Sequence, residues 1–111
     1  MLSTATPARL AWSSAAGAIS NLYRALDMTN GTHMAWQCES AARGFRAAAE
    51  HVADPYRTQL AVLADCAEAM ADPFGPSDTA IRACIEAAIE TEAALERIML
   101  EVEAGEMGRA A

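Results

Sequence analysis

The chain has 111 residues, enough for one domain with one modest core. Apolar residues make up 53% of it but aromatics only 5%, a small-residue composition that favours closely packed helices over sheets, whose faces want Val, Ile, Thr and Tyr. Fifteen acids against eight bases, every one of them arginine, set a net charge of −7 and a pI near 4.6, which argues against nucleic acid or an anionic membrane as partner.

The first helix is expected over about 7–27. Thr6 is its cap and Pro7 its first helical residue, where a missing N–H costs nothing. At 100° per residue, Trp12, Ala15, Ile19, Leu22, Tyr23 and Leu26 share one face, with Arg9, Ser13, Ser20, Asn21 and Arg24 opposite. Asn30-Gly31 marks the turn that follows.

The second helix is expected over about 33–53. Met34, Cys38, Ala41, Phe45, Ala48, Ala49 and Val52 form a seam close to heptad spacing, which suits shallow crossing angles. Trp36 falls about 180° from that seam, in the company of Glu39, Ser40, Arg43 and Ala47. A solvent-facing tryptophan near an arginine has the composition of a binding hot spot. The alternative is a later helix start, with Trp36 packed over the bundle end.

The third helix is expected over about 55–71, capped by Asp54 with Pro55 leading it. Tyr56, Leu60, Leu63, Ala67 and Met70 repeat the seam spacing. Asp72 to Pro76 then reads as a rigid turn.

The fourth helix is expected over about 78–104, with Ser77 as cap and Asp78 at the positive end of the macrodipole. Its stripe is Ile81, Cys84, Ile85, Ala88, Leu95, Ile98, Met99 and Val102, and Gly105 and Gly108 invite fraying beyond it. At 1.5 Å per residue this helix spans about 40 Å against about 25–31 Å for the others. Roughly 10 Å would then stand unmatched, carrying Leu95, Ile98, Met99 and Val102. Glu92 lies near that stripe and would pair with a partner's arginine at an interface rim. Large apolar stripes rarely stay wet. The fold read from these elements is therefore all-α: an antiparallel four-helix bundle with a long C-terminal helix, paired as a homodimer.

Catalytic and cofactor patterns do not emerge. Neither His33 nor His51 has the glutamate three residues earlier that a di-iron bundle uses; Asn30 and Ala48 stand there. His33 and Cys38 are five apart, about 140° around a helix, and cannot chelate one ion. His51 is expected to cap a helix C-terminus. Cys38, Cys66 and Cys84 are odd in number, lack a CxxC pair and read as buried free thiols of a reducing cytoplasm. Residues 1–7 have neither the basic start nor the apolar run of a signal peptide, and no run approaches the ~20 residues of a membrane span. The expectation is a cytoplasmic protein with no catalytic residue, metal or cofactor.

Gly31 to Cys38 (GTHMAWQC), the helix Ala41–Val52 and Ser77 to Cys84 (SDTAIRAC) resemble the small helical anti-activators of the QslA type, which restrain LuxR-type quorum-sensing regulators. The resemblance implies a protein that binds the regulator and blocks its dimerisation, silencing transcription without touching DNA. It implies no functional residue. From the residues alone the expected function is a non-enzymatic regulator that occupies another protein's interaction surface. Trp36, Arg43, Glu92, Leu95, Ile98, Met99 and Val102 are its candidate contacts. The alternatives are an assembly adaptor of phage or mobile-element type, and a small-ligand sensor with Phe45, Tyr56 and Met70 lining a pocket.

Overall fold

Four capped helices account for nearly all of the chain in a computed structural model, which describes residues 5–72 and 77–110, with side chains to Glu106. They are α1 (Pro7–Leu26), α2 (Gly31–Ala49), α3 (Tyr56–Ala69) and α4 (Asp78–Ala110), and no strand occurs among the described residues. Each start is set by a side chain that satisfies backbone N–H groups left open by the first turn. Thr6 Oγ1 accepts from Arg9 N–H at 3.1 Å, and Ser77 Oγ accepts from Ala80 N–H at 3.1 Å. Asp54 Oδ1 accepts from both Thr58 N–H and Thr58 Oγ1–H, at 3.0 and 2.6 Å. These two bonds hold the Asp54 carboxyl below its usual range.

The second helix starts earlier than 33 because Asn30 caps it, accepting from Thr32 N–H and His33 N–H. It also ends earlier than 53. Arg57 reaches back and donates to the Ala49 and Val52 carbonyls, at 3.3 and 3.0 Å, and so replaces the next helical turn. His51 thus lies beyond the helix, its N–H bonded to Ala48 O. The fourth helix runs past 104 to Ala110, straight through Gly105 and Gly108. A helical glycine costs about 1 kcal/mol relative to alanine, too little to stop a helix of this length. The turn expected over Asp72–Pro76 lies mostly outside the described residues.

The helices pack in a closed order, α1 on α2, α2 on α3, α3 on α4 and α4 on α1, with α3 and α4 the least closely packed pair. Phe45, Leu22, Leu60, Ile81, Leu95 and Cys38 form the fully buried centre. Between α1 and α2 the contact is nearly side-chain free: a Cβ added to Gly44 would stand 3.0 Å from Ala18 Cβ and 3.1 Å from Ser14 O. Alanines fill this seam from both sides, at Ala11, Ala18 and Ala25 facing Ala41 and Ala48, all of them buried. Small residues let two backbones approach closely, and that closeness draws α1 and α2 into one tight layer.

Candidate functional site

The overhang expected on α4 is corrected by where α1 sits. Near its start, Arg9 forms a bidentate pair with Glu103, Nε to Oε2 and Nη2 to Oε1, both at 2.9 Å. One turn on, Trp12 Nε1–H donates to Glu92 Oε1 at 2.7 Å. At its far end Tyr23 and Leu26 lie beside Arg82 and Ile85. The full length of α1 therefore covers α4 from about residue 82 to 103. Leu95 and Met99 are 1% and 3% exposed, enclosed by their own chain. Glu92 has its partner inside the molecule and is not a free rim carboxylate. Arg9 also stands 6.0 Å from the centre of the Trp12 ring, adding a cation–π contact to the clamp. The Arg9 pair holds the Glu103 carboxyl below its usual range and raises the guanidinium in turn.

Trp36 meets solvent, at 69% exposure, on a helix that has already begun at Gly31. The alternative of packing over the bundle end does not hold. Arg43 is exposed on the same face and pairs with Glu39 one turn away at 2.8 Å. The candidate contacts therefore divide into three places. Trp36 and Arg43 lie on the outer face of α2. Glu92, Leu95 and Met99 lie in the α1–α4 seam. Ile98 and Val102 lie beside the start of α1 and the α2–α3 turn, where Val102 is 40% exposed.

Next to that corner, past Tyr56, lies an open seam. Between α3 and α4 a groove runs in two stretches that share lining residues, with a hollow at one end. The first, about 450 Å³, is lined by Val62, Cys66, Ala69 and Met70 of α3 and by Ala80, Ala83 and Ala87 of α4. The second, about 520 Å³, shares Val62, Leu63 and Ala87 with it and continues to Glu90 and Ala94. The hollow at its end, about 450 Å³, shares Tyr56 with the second stretch and is walled by Pro7 and Ala8 of α1, by His51, Val52 and Asp54 of the α2–α3 turn and by Ile98 and Val102. Thr91, 7% exposed, donates to Gln59 Oε1 at 3.2 Å and ties the two walls at mid-length. Above that tie the walls are apolar and wet, with Val62 at 55% exposure.

Alanine is why the groove exists. The face that α4 turns to α3 reads Ala80, Ala83, Ala87, Thr91 and Ala94, at helical spacing. These side chains are too short to meet Val62 and Cys66 across the seam. On the opposite flank of α3, Leu60, Ala64 and Ala67 are buried against α2, where Arg46 bridges to Asp65 at 3.4 Å and to Glu68. The third helix is thus committed to α2 and leaves its other face open. Val62, Cys66 and Ala87 were absent from the sequence expectation. A run of small residues contrasts little with its polar neighbours, so only the alanine spacing of α4 pointed to them.

The three cysteines separate chemically. Cys38 and Cys84 are buried, whereas Cys66 is exposed in the groove, against the expectation of three buried thiols. Burial raises Cys38, and burial with the neighbouring Cys66 and Cys38 pushes Cys84 up to about 11. Both buried groups are held as thiols and are poor nucleophiles. Among the described residues no group of three or more His, Cys, Asp or Glu side chains is placed to hold a metal ion, and no helix is long and apolar enough to cross a membrane.

The fold and this seam together define an all-helical bundle with one unclosed apolar edge. Compared with protein-family models, with curated proteins and with solved structures, the chain matches none of them.

Proposed function

We propose that this is a non-enzymatic regulatory protein that binds another protein and blocks its interaction surface. The observation that carries this reading is the open α3–α4 seam, an apolar groove running along α4 from Ala80 to Ala94. That stretch is about 21 Å long at 1.5 Å per residue. Apolar surface of this extent on a small acidic domain marks an interaction site. The LuxR-type quorum-sensing regulators are the partner class that the resemblance implies, and blocking their dimerisation and DNA binding is the activity that would follow. The helices are read as antiparallel because the start of α1 meets the end of α4. Self-association as a homodimer loses the support of Leu95 and Met99, which are enclosed within one chain, and rests instead on the groove and on the exposed Ile89, Leu100 and Val102.

The test is capture from the native host with tagged wild type, an Ala87→Trp variant that fills the groove, and a Trp36→Ala variant that leaves it intact. The expected result is a DNA-binding regulator retained by wild type and by Trp36→Ala but lost with Ala87→Trp. In a gel-shift assay the wild-type protein should release that regulator from its DNA. Equal capture by the wild-type and Ala87→Trp proteins would remove the groove from the function.

A further inference from the structure

The charge around the groove says what kind of segment fills it. On α4, Glu90 lines the groove, and Glu101, eleven residues or about three turns further along, shares its flank. Asp54 stands at the far end. Glu101 is exposed, whereas Asp65 of α3 is turned away to Arg46 of α2. Among the described residues Arg97 is the base on this flank of α4. Arg57 is turned to the backbone carbonyls at the end of α2, and Arg82 lies in the α1–α4 seam. The acids that line the groove and its end are thus Glu90 and Asp54, with no arginine among the lining side chains named for them, on a chain of net charge −7.

Its shape adds a second constraint. The two-walled part extends along α3 from Tyr56 to Met70, about 21 Å. The α4 wall is alanine for most of that length, so a backbone can approach it as closely as α1 approaches Gly44. A helix of about four turns fits such a channel, with larger side chains reaching toward Val62 and Leu63.

We propose that the α3–α4 groove receives one amphipathic helix of a partner protein, its apolar stripe flanked by Lys or Arg. The proposal rests on the protein-binding reading and goes beyond it by naming the occupant. A second copy of this chain is a poorer occupant, because it carries the same net charge of −7 and would set like charge against Glu90 and Asp54. Like charges facing one another across an interface disfavour that pairing, whereas a basic flank is drawn in and oriented.

The test uses the full chain and two synthetic 18-residue helices that share one apolar stripe and differ only in lysine or glutamate flanks. Binding is followed by fluorescence anisotropy and by NMR shift mapping. The lysine-flanked helix should bind at least ten-fold tighter than the glutamate-flanked one, lose affinity as salt rises, and shift resonances of Val62, Cys66 and Ala87. Ala87→Trp should abolish its binding. Glu90→Lys with Glu101→Lys, both exposed changes that spare the fold, should reverse the preference between the two helices. Equal or tighter binding of the glutamate-flanked helix would overturn the proposal, as would shifts centred on Trp36. Self-association that Ala87→Trp prevents would overturn it in favour of a second copy. If neither helix binds while Ala87→Trp still loses the host partner, the protein-binding reading stands and the basic helix is the part that fails.

Discussion

Trp12 of α1 donates its indole N–H to Glu92 of α4 at 2.7 Å, eighty residues away in sequence, with the Arg9 guanidinium over the same ring. This contact sets how far α1 slides along α4. A charged acceptor makes the bond stronger than a neutral one, and both partners are half-buried. Glu92→Leu should destabilise the protein by about 1–3 kcal/mol, the usual cost of leaving a polar partner unmet. Urea unfolding checks this, read by Trp12 fluorescence in a Trp36→Phe background so that only the clamped indole reports. An unchanged midpoint would mean the clamp does not hold the register.

The Arg9–Glu103 pair predicts a pH response of known sign. The Glu103 carboxyl is held below its ordinary value, about 4.3, chiefly by the Arg9 hydrogen bonds. Its contribution is therefore fully present above that pH and is lost as pH falls through the lower folded-state value. In a carboxyl NMR titration the Glu103 midpoint should lie below the ordinary glutamate value. It should rise toward that value in Arg9→Met. Identical midpoints in the two proteins would show that the pair is not formed in solution.

Gly44 lies where a side chain would be crowded, a Cβ there standing 3.0 Å from Ala18 Cβ and 3.1 Å from Ser14 O. Its nearest neighbours include a backbone oxygen, Ser14 O, which cannot rotate away as a side-chain end can. Gly44→Ala should cost about 1–3 kcal/mol through overpacking, despite the higher helix propensity of alanine. Ala18→Gly in the same chain should recover part of that loss. A Gly44→Ala protein as stable as wild type would show that α1 and α2 stand further apart than described.

Residues 98 to 102 of α4 should divide sharply by side. Met99→Arg buries an unpaired charge against α1 and should unfold the protein or cost more than about 3 kcal/mol. Val102→Glu, on the exposed flank, should change stability by less than about 0.5 kcal/mol. Thermal unfolding of the two variants side by side measures the difference. Similar losses would contradict the enclosure of Met99 by α1.

Local signals in the sequence carried through to the structure where the physics is local. Thr6 and Ser77 cap as their positions suggest, whereas Asp54 bonds the first turn of α3 from one residue before its cap, Pro55, and the stripes built on Leu22, Phe45, Leu60 and Ile85 are largely core, with Tyr23 and Val102 exposed. Trp36 is solvent-facing, as its angle from the Cys38–Phe45 seam requires. The relations between helices were less legible. Helical spacing says that Leu95 and Met99 want cover but not which helix supplies it, and the register of α1 depends on polar contacts eighty or more residues apart. The groove was harder still, because Ala83 and Ala87 look like filler in a sequence. Their meaning comes from what α3 fails to place opposite them.

Cys66 gives the most direct reading of whether the α3–α4 seam is an open surface that a partner covers. It lines the groove with an exposed thiol, while Cys38 and Cys84 are buried. The rate of Cys66 alkylation should be that of an accessible cysteine in the free protein and independent of protein concentration. It should fall at least ten-fold when the captured partner is bound. Slow alkylation of the free protein, or a rate that the partner leaves unchanged, would contradict the groove as the binding surface.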